Sequence, residues 1–148
     1  MSKVLAILAL LLSLSGPVFA DVVGKPRVIN GDTIEIGGER IRLFGIDAPE
    51  AHQTCMADGK EWACGQEAIF ALAFEMAEHW VTCKGDTRDE NGLLVAVCYV
   101  GPYDLNARIV RGGWALASRR DSMDYVAEES EARTAMRGLW RGNINGRQ

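Results

Sequence analysis

Beyond its first twenty residues, the 148-residue sequence lacks any long apolar run, and a membrane-spanning helix needs about 20 such residues. Within residues 1–20, Lys3 precedes the apolar stretch 4–14, and Val18 and Ala20 stand where a signal peptidase requires small residues. We therefore expect residues 1–20 to be a signal peptide that is cleaved after Ala20. The protein is then expected to be secreted or periplasmic, with no membrane span.

Internal repeats, low-complexity tracts and linkers are also missing. Residues 21–148 are therefore expected to form one domain, which is long enough to bury a core but leaves no room for a second domain. An excess of positive charge is missing too, because 16 Lys and Arg face 20 Asp and Glu, a net charge of −4. Residues 1–20 contain Lys3 and no acidic residue, so residues 21–148 carry −5. This sign disfavours nonspecific affinity for nucleic acid.

The arginines are concentrated after Gly101. Two interpretations are open for them: a local basic face, or solvated helix surfaces, which charge runs usually form. They are Arg108, Arg111, Arg119, Arg120, Arg133, Arg137, Arg141 and Arg147.

A C-x-x-C spacing is absent, which disfavours a zinc site built from the cysteines with His52 or His79. An even number of cysteines in an exported chain instead indicates two disulfides, and four cysteines allow three pairings. We favour one bridge that closes a loop and one that joins neighbouring strands across the turn at 89–92. These bridges are Cys55–Cys64 and Cys83–Cys98.

Apolar and polar residues alternate over 22–36 and 40–46, which predicts strands joined by a hairpin turn at Gly37 and Gly38. Helical spacing over 65–80 predicts a helix. Its apolar stripe, interpreted as core packing, is Ile69, Leu72, Ala73, Met76, Ala77 and Trp80.

A second hairpin is predicted from 81–84 and 93–99, giving five strands. Two further helices are predicted, at 106–111 and 124–137, each followed by glycine. Trp114, Leu139 and Trp140 are expected to close the core of one α+β unit.

Two aspartates, an arginine and a glutamate stand at the edges of the first strands: Asp32, Arg42, Asp47 and Glu50. Carboxylates can hold a hard cation, an arginine can clamp a phosphate, and a spare glutamate can deprotonate water. Gly31-Asp32 and the segment 47–50 are each common turn chemistry when taken alone. Strand alternation also sends Asp47 to the face opposite Arg42, so their convergence requires a kink, for which Gly45 is the natural place.

Four segments carry a family resemblance: Ile-Asn-Gly-Asp-Thr at 29–33, Arg-Leu-Phe-Gly-Ile-Asp-Ala-Pro-Glu at 42–50, Asn-Ala-Arg-Ile-Val-Arg-Gly-Gly-Trp at 106–114, and Gly-Leu-Trp at 138–140. Together, and in this order, they resemble the staphylococcal nuclease (thermonuclease) family over 22–141. The resemblance implies a five-stranded OB-type β-barrel with three α-helices.

By the same resemblance, Asp32 and Asp47 would bind Ca²⁺ together with the backbone carbonyl of Ala48, where the family usually has threonine. Arg42 would bind the scissile phosphate, and Glu50 would activate or position the attacking water. The implied activity is calcium-dependent hydrolysis of DNA or RNA phosphodiesters, with single-stranded nucleic acid as substrate. A monomer is expected.

Two departures from the family pattern stand out. Leu93 follows the turn glycine of the later hairpin, where the family has a second phosphate-binding arginine, and we consider Arg88 as a substitute. The family's nucleotide-stacking tyrosines after Trp114 are missing, and we consider Tyr103 or Tyr125 in their place. Two alternatives therefore remain: a catalytically impaired relative that serves as a binding or scaffold module of the cell envelope, and an envelope protein whose charged residues form only surface ion pairs.

Overall fold

The structure is a computed structural model that describes residue 16 and residues 19–142. The predicted signal peptide at 1–20 therefore lies almost entirely outside the described residues, and Arg147 lies outside them too. Among the residues described, no helix is both long enough and apolar enough to cross a membrane.

Short strands and three α-helices make up the described chain. The strands are β1 (Val22–Gly24), β2 (Arg27–Asn30), β3 (Thr33–Ile36), β4 (Glu39–Leu43), β5 (Ile46–Asp47), β6 (Cys55–Ala57), β7 (Lys60–Trp62), β8 (Val81–Arg88), β9 (Leu94–Val100), β10 (Tyr103–Asp104) and β11 (Leu116–Ala117). The helices are α1 (Cys64–Met76), α2 (Leu105–Arg111) and α3 (Val126–Thr134), and a 3₁₀ turn follows at Gly138–Trp140.

The main sheet has seven strands in the order β1-β8-β9-β4-β3-β2, with β10 attached to β9. All of its pairings are antiparallel except that of β4 with β9, which is parallel. Two small sheets, β5 with β11 and β6 with β7, complete the fold. The predicted α+β class with three helices and a mostly antiparallel sheet of the OB type is confirmed.

The sheet has seven strands rather than five: the first predicted segment, 22–36, is interrupted twice and forms β1, β2 and β3, and the short strand β10 was not predicted. Pro26 lacks a backbone donor and separates β1 from β2, and a turn at Gly31 and Asp32 separates β2 from β3. The alternation itself is confirmed, since Ile34, Ile36, Ile41 and Leu43 all point into the core. Burying each such side chain contributes roughly 1.5–3 kcal/mol.

Helix α1 is confirmed, but it ends at Met76, and its buried face is rotated from the predicted stripe. Its buried residues follow one another at intervals of about four: Cys64, Gly65, Ala68, Leu72 and Met76. The prediction was right for Leu72 and Met76 and wrong for Ala73, Ala77 and Trp80, which are exposed. Ala77 has a φ of +47°, which ends the helix before Trp80. The small residues Gly65 and Ala68 face inward because a loop and a turn press against this side of the helix.

The two later helices are also confirmed. Asp104 caps α2 by accepting a hydrogen bond from the backbone N–H of Ala107 at 2.9 Å. Beyond α3, the backbone of Gly138 packs on that of Gly113, where either Cβ would overlap a carbonyl oxygen. Leu139 N donates to Gly113 O at 2.7 Å, which fastens the 3₁₀ turn to the end of α2.

Both favoured disulfides are present. Cys55–Cys64 joins β6 to the first residue of α1, with the two Cα atoms 5.6 Å apart. Cys83–Cys98 joins directly opposed residues of β8 and β9, with the two Cα atoms 4.0 Å apart. All four cysteines are thus bridged, which leaves no thiolate for a metal.

Candidate active site

The turn between β2 and β3 carries Asp32 and lies beneath the 47–50 loop. Gly31 makes this approach possible, because a Cβ at that position would stand 2.8 Å from Ala48 Cβ and 3.0 Å from Ala68 Cβ. The Asp32 carboxylate accepts hydrogen bonds from Ala48 N and Thr33 Oγ1, both at 3.0 Å. The side chain is therefore fixed between β3 and the loop that follows β5.

Gly45 supplies the kink that strand alternation required. Its φ of +75° lies in the left-handed region, and the Tyr125 ring would stand 2.9 Å from a Cβ there. The chain turns at this point and enters β5, where Asp47 pairs with Leu116 of β11. Strand β5 therefore leaves the main sheet and pairs with β11, with the exposed Asp47 at its end.

The surroundings of the Asp32 carboxyl shift its pKa. Burial raises the pKa of the Asp32 carboxyl above its usual value, which outweighs the opposing effect of its hydrogen bonds from Ala48 and Thr33. The negative charges of Asp47 and Glu50 raise the same pKa further. The fold therefore disfavours the ionised form of Asp32, whereas Asp47 and Glu50 are both exposed.

Glu50 is placed by the start of α1. A methyl group on Gly65 would overlap the Glu50 carbonyl oxygen, so only glycine allows the helix to contact this loop. Gln53 closes the loop, because its backbone N–H donates to Glu50 O at 2.9 Å and its own carbonyl accepts from Gly65 N at 3.1 Å. The Glu50 side chain is exposed and accepts a hydrogen bond from Asn30 Nδ2 at 3.1 Å.

The donor set fits a calcium ion in part. Among the residues described, no group of three His, Cys, Asp or Glu side chains is arranged to hold a metal. The partly buried Asp32 and the exposed Asp47 do provide negative charge that a hard cation would neutralise, and the main chain of Ala48 lies against Asp32. Calcium takes about 6–8 oxygens, so such a site would need water and substrate oxygens as well.

Arg42 stands in β4 directly opposite Thr33, so it lies on the same face of the sheet as the residue that follows Asp32. Its guanidinium is held by two carboxylates that sequence reasoning did not consider. Arg42 Nε lies 3.3 Å from Asp89 Oδ2, and Nη1 lies 3.1 Å from Asp121 Oδ2. Both aspartates belong to polar turns far from Arg42 along the chain, and nothing in such local sequence signals the pairing.

Arg88, the considered substitute for a second phosphate-binding arginine, contacts other groups. Its Nη1 lies 2.6 Å from Glu39 Oε1 and donates to Gly92 O at 3.0 Å. The Glu39 carboxylate raises the pKa of the Arg88 guanidinium. Leu93 is half-buried in the same hairpin, and its backbone N–H donates to Asp89 Oδ1 at 3.0 Å.

The two tyrosines considered for base stacking have different surroundings. Tyr125 is buried beneath Gly45 and donates from its hydroxyl to Asp104 Oδ2 at 3.1 Å, so its ring is not available to a ligand. That alternative is wrong, because the ring fills the space that the kink at Gly45 opens. Tyr103 is exposed, and the Arg108 guanidinium lies 5.1 Å from the centre of its ring.

Most of the arginines after Gly101 form ion pairs, which favours the solvated helix surface over a free basic face. The pairs are Arg108–Glu75, Arg111–Glu128 and Arg111–Glu131, Arg119–Glu129, Arg137–Glu131 and Arg141–Glu67. Their charges are therefore largely compensated within the protein.

Comparison with known proteins gives consistent matches. A family model described as Staphylococcal nuclease homologue matches residues 40–142, which include Arg42, Asp47 and Glu50 but not Asp32. The succinoglycan biosynthesis protein ExoI of Rhizobium meliloti (strain 1021) is 34% identical over 137 residues, covering 90% of this chain and 72% of that protein. An uncharacterized endonuclease of Escherichia coli O157:H7 is 34% identical over 129 residues, covering 82% and 78%. The probable endonuclease LCL3 of Schizophyllum commune (strain H4-8 / FGSC 9210) is 29% identical over 125 residues, covering 72% and 41%.

Proposed function

Because the chain belongs to the staphylococcal nuclease homologue family, we propose that it is a calcium-dependent nuclease that hydrolyses phosphodiester bonds of single-stranded DNA or RNA. The observation that supports this proposal is the hydrogen bond from Ala48 N to Asp32 Oδ2 at 3.0 Å, which brings the β2–β3 turn against the 47–50 loop. A family of nucleases supports nucleic acid as the class of substrate. The calcium ion, the single-stranded form of the substrate and a monomeric state are parts of the proposal.

Each residue has a role that follows from its surroundings. Asp32 and Asp47, with the Ala48 carbonyl, would hold the calcium ion, which when bound supplies Lewis-acid polarisation of the phosphate. Glu50 is exposed and receives a neutral amide donor, so its carboxylate is suited to orient a water or accept its proton. Arg42 would bind the phosphate through its fork of donors. Arg88, on the neighbouring hairpin, is a further candidate for a phosphate contact.

The two disulfides are compatible with an extracellular or periplasmic location, since such bridges persist in oxidising compartments. We include in the proposal that residues 1–20 are a signal peptide and that the protein acts outside the cytoplasm. Comparing the mass of the protein purified from culture medium or periplasm with that of the full chain tests this part. A product that still carries residues 1–20 would contradict it.

The proposed activity is tested by hydrolysis of denatured DNA and of RNA with calcium, repeated with a chelator. Glu50→Ala should reduce the rate by at least about 10²-fold, the usual contribution of a general acid–base residue. Glu78→Ala is the matched control, because Glu78 is an exposed glutamate at the far end of α1, beside Lys25. Cleavage that survives both the chelator and Glu50→Ala would contradict the proposal.

A second function, a catalytically impaired binding or scaffold module, is favoured by one observation. Leu93 occupies the hairpin position at which a second arginine is expected, and Arg88 of the same hairpin is paired with Glu39. An apolar side chain cannot offset charge that develops on phosphate oxygens. A protein that binds oligonucleotide but shows no calcium-dependent hydrolysis would support this second function over the first.

A further inference from the structure

Arg42 does not present a free guanidinium, although it is the group expected to bind substrate phosphate. Its contacts with Asp89 at 3.3 Å and Asp121 at 3.1 Å engage two different nitrogens. The side chains of Arg42, Asp89 and Asp121 are 25%, 14% and 16% exposed, so solvent screens these contacts less than it screens ordinary surface ion pairs. Each pair of nitrogens that can bind a phosphate with two hydrogen bonds, Nε with Nη2 or Nη1 with Nη2, thus has one member already in contact with a carboxylate.

The two carboxylates are held differently. Asp89 uses Oδ1 to accept the backbone N–H groups of Asn91 at 2.9 Å and Leu93 at 3.0 Å, and its Oδ2 faces Arg42. The turn between β8 and β9 therefore fixes the Asp89 side chain. Asp121 is held through its main chain, whose N–H donates to Ser118 O at 3.0 Å, while its carboxylate contacts Arg42. The Asp121 side chain can leave Arg42 without breaking a turn.

The charge balance opposes an incoming phosphate. One guanidinium between two carboxylates leaves a net negative charge where the ligand must arrive, and like charges at this distance repel. A phosphate that is to form two hydrogen bonds with Arg42 has to replace at least one carboxylate.

Resting on the proposed function, we propose that Asp89 and Asp121 form a carboxylate latch on the phosphate-binding arginine, and that Asp121 is displaced when the phosphate of a nucleic acid binds Arg42. The latch makes phosphate binding a competition with a group of the protein itself. The apparent affinity is then the intrinsic affinity multiplied by the fraction of molecules in which Arg42 is released, so a smaller released fraction gives weaker binding. Asp121 thereby sets how readily the site accepts a ligand, without touching the reacting atoms.

The test is equilibrium binding of a fluorescein-labelled, single-stranded deoxyoligonucleotide with phosphorothioate linkages, measured by anisotropy in chelator and in calcium. Asp121→Asn should lower the dissociation constant about tenfold, the effect of removing one favourable ionic competitor. Asp124→Asn is the matched control, because it removes the same charge from an exposed position of the same loop. We expect it to change the dissociation constant less than about twofold.

A double-mutant cycle with Arg42→Ala separates the latch from a general change of charge. If Asp121 acts through Arg42, the gain from Asp121→Asn disappears in the Arg42→Ala background. A gain that persists without Arg42 overturns the proposal, as does the absence of tighter binding by a natively folded Asp121→Asn protein. Asp89→Asn is the second variant, since its remaining Oδ1 can still accept both turn N–H groups, and it should also tighten binding.

The assay measures binding without hydrolysis, so the proposed latch and the proposed nuclease activity can be contradicted independently of each other. An inactive protein that binds oligonucleotide more tightly after Asp121→Asn supports the latch and contradicts the proposed nuclease. An active protein whose binding is unchanged by Asp121→Asn and by Asp89→Asn overturns the latch and leaves the nuclease standing.

Discussion

At the scale of single residues, burial of the Asp32 carboxylate lowers the stability of the folded protein at neutral pH. Its carboxylate is mostly buried and lies near two other negative charges, and all of these raise its pKa. The folded protein therefore disfavours the ionised form that a metal ligand needs. A cation bound as proposed would offset this cost, because it would favour the ionised carboxylate.

Asp32→Asn should raise the free energy of unfolding at neutral pH by about 1 kcal/mol and abolish stabilisation by calcium. An asparagine can still accept from Ala48 N and can donate to Thr33 Oγ1, so both contacts can be kept. Because the folded pKa is raised, the wild type loses stability as pH rises from the unfolded pKa through the folded one. The stabilisation by Asp32→Asn should therefore vanish at a pH below the pKa of Asp32 in the unfolded chain, where the wild-type carboxyl is neutral in both states.

Thermal unfolding of both proteins across pH, with and without calcium, checks this expectation. Asp86→Asn, an exposed aspartate of β8, controls for the loss of one negative charge. A gain that is equally large in acid would show that burial of the Asp32 charge is not its cause.

Leu93→Arg should raise the rate of hydrolysis if a missing second arginine limits catalysis. Loss of an arginine that stabilises charge in phosphoryl transfer costs roughly 10³–10⁵ in rate, which sets the upper bound of the gain. Leu93→Met keeps the apolar contacts of this half-buried position and is the control. Equal rates for all three proteins, measured on denatured DNA with calcium, would exclude Leu93 as the defect.

At the scale of secondary-structure elements, the first turn of α1 supports the loop that carries Glu50. Gly65 contacts the Glu50 main chain and donates to Gln53 O, and Cys64 carries the disulfide to β6. The helix thus contributes no side chain to the proposed chemistry, but its packing decides where Glu50 lies.

Gly65→Ala should reduce hydrolysis at least about tenfold and destabilise the protein by about 1–3 kcal/mol, because the added methyl group must displace the Glu50 carbonyl. Gly38→Ala is the control: its Cβ meets open space, but its φ of +84° costs a comparable strain far from the site. Activity is compared at a temperature where both variants are folded. Equal losses in the two variants would contradict a specific role for the contact at Gly65.

The helices and strands themselves could be predicted well from the sequence, whereas the side of each that is buried could be predicted only in part. Alternation identified the strands that bury Ile34 and Ile41, and glycine at position 45 identified the kink. The rotation of α1 was missed because its inward face is built from small residues such as Ala68, which carry little hydrophobic signal. Trp80, the largest apolar residue of the predicted stripe, is exposed.

At the scale of the whole molecule, the candidate site depends on contacts between distant parts of the chain. The resemblance to a family placed Asp32, Arg42, Asp47 and Glu50 together, and periodicity alone could not have done so. The pairing of Arg42 with Asp121, 79 residues away, had no local signature in either segment. Charges in turns are usually solvated, so only the folded chain shows that this one is not.

The two disulfides should have separable effects. Replacing Cys83 and Cys98 by alanine releases a span of 15 residues and should lower the free energy of unfolding by about 3 kcal/mol. Replacing Cys55 and Cys64, only 9 residues apart, should cost less stability but more activity, because that bridge anchors the loop beyond Glu50. Guanidinium unfolding and hydrolysis assays on both pairs check this. If the two double variants lost the same activity and the same stability, separate roles for the two disulfides would be contradicted.

Arg141 lies between two indole rings, 4.0 Å from the centre of Trp62 and 5.4 Å from that of Trp114. Because a cation against an indole alters its excited state, the intrinsic fluorescence of the protein is sensitive to whether the segment after the 3₁₀ turn is docked. Trp80, which is 64% exposed, and Trp140, which lies against Arg133, contribute to the same spectrum. The molecule thus contains its own label-free optical probe of whether this segment is docked.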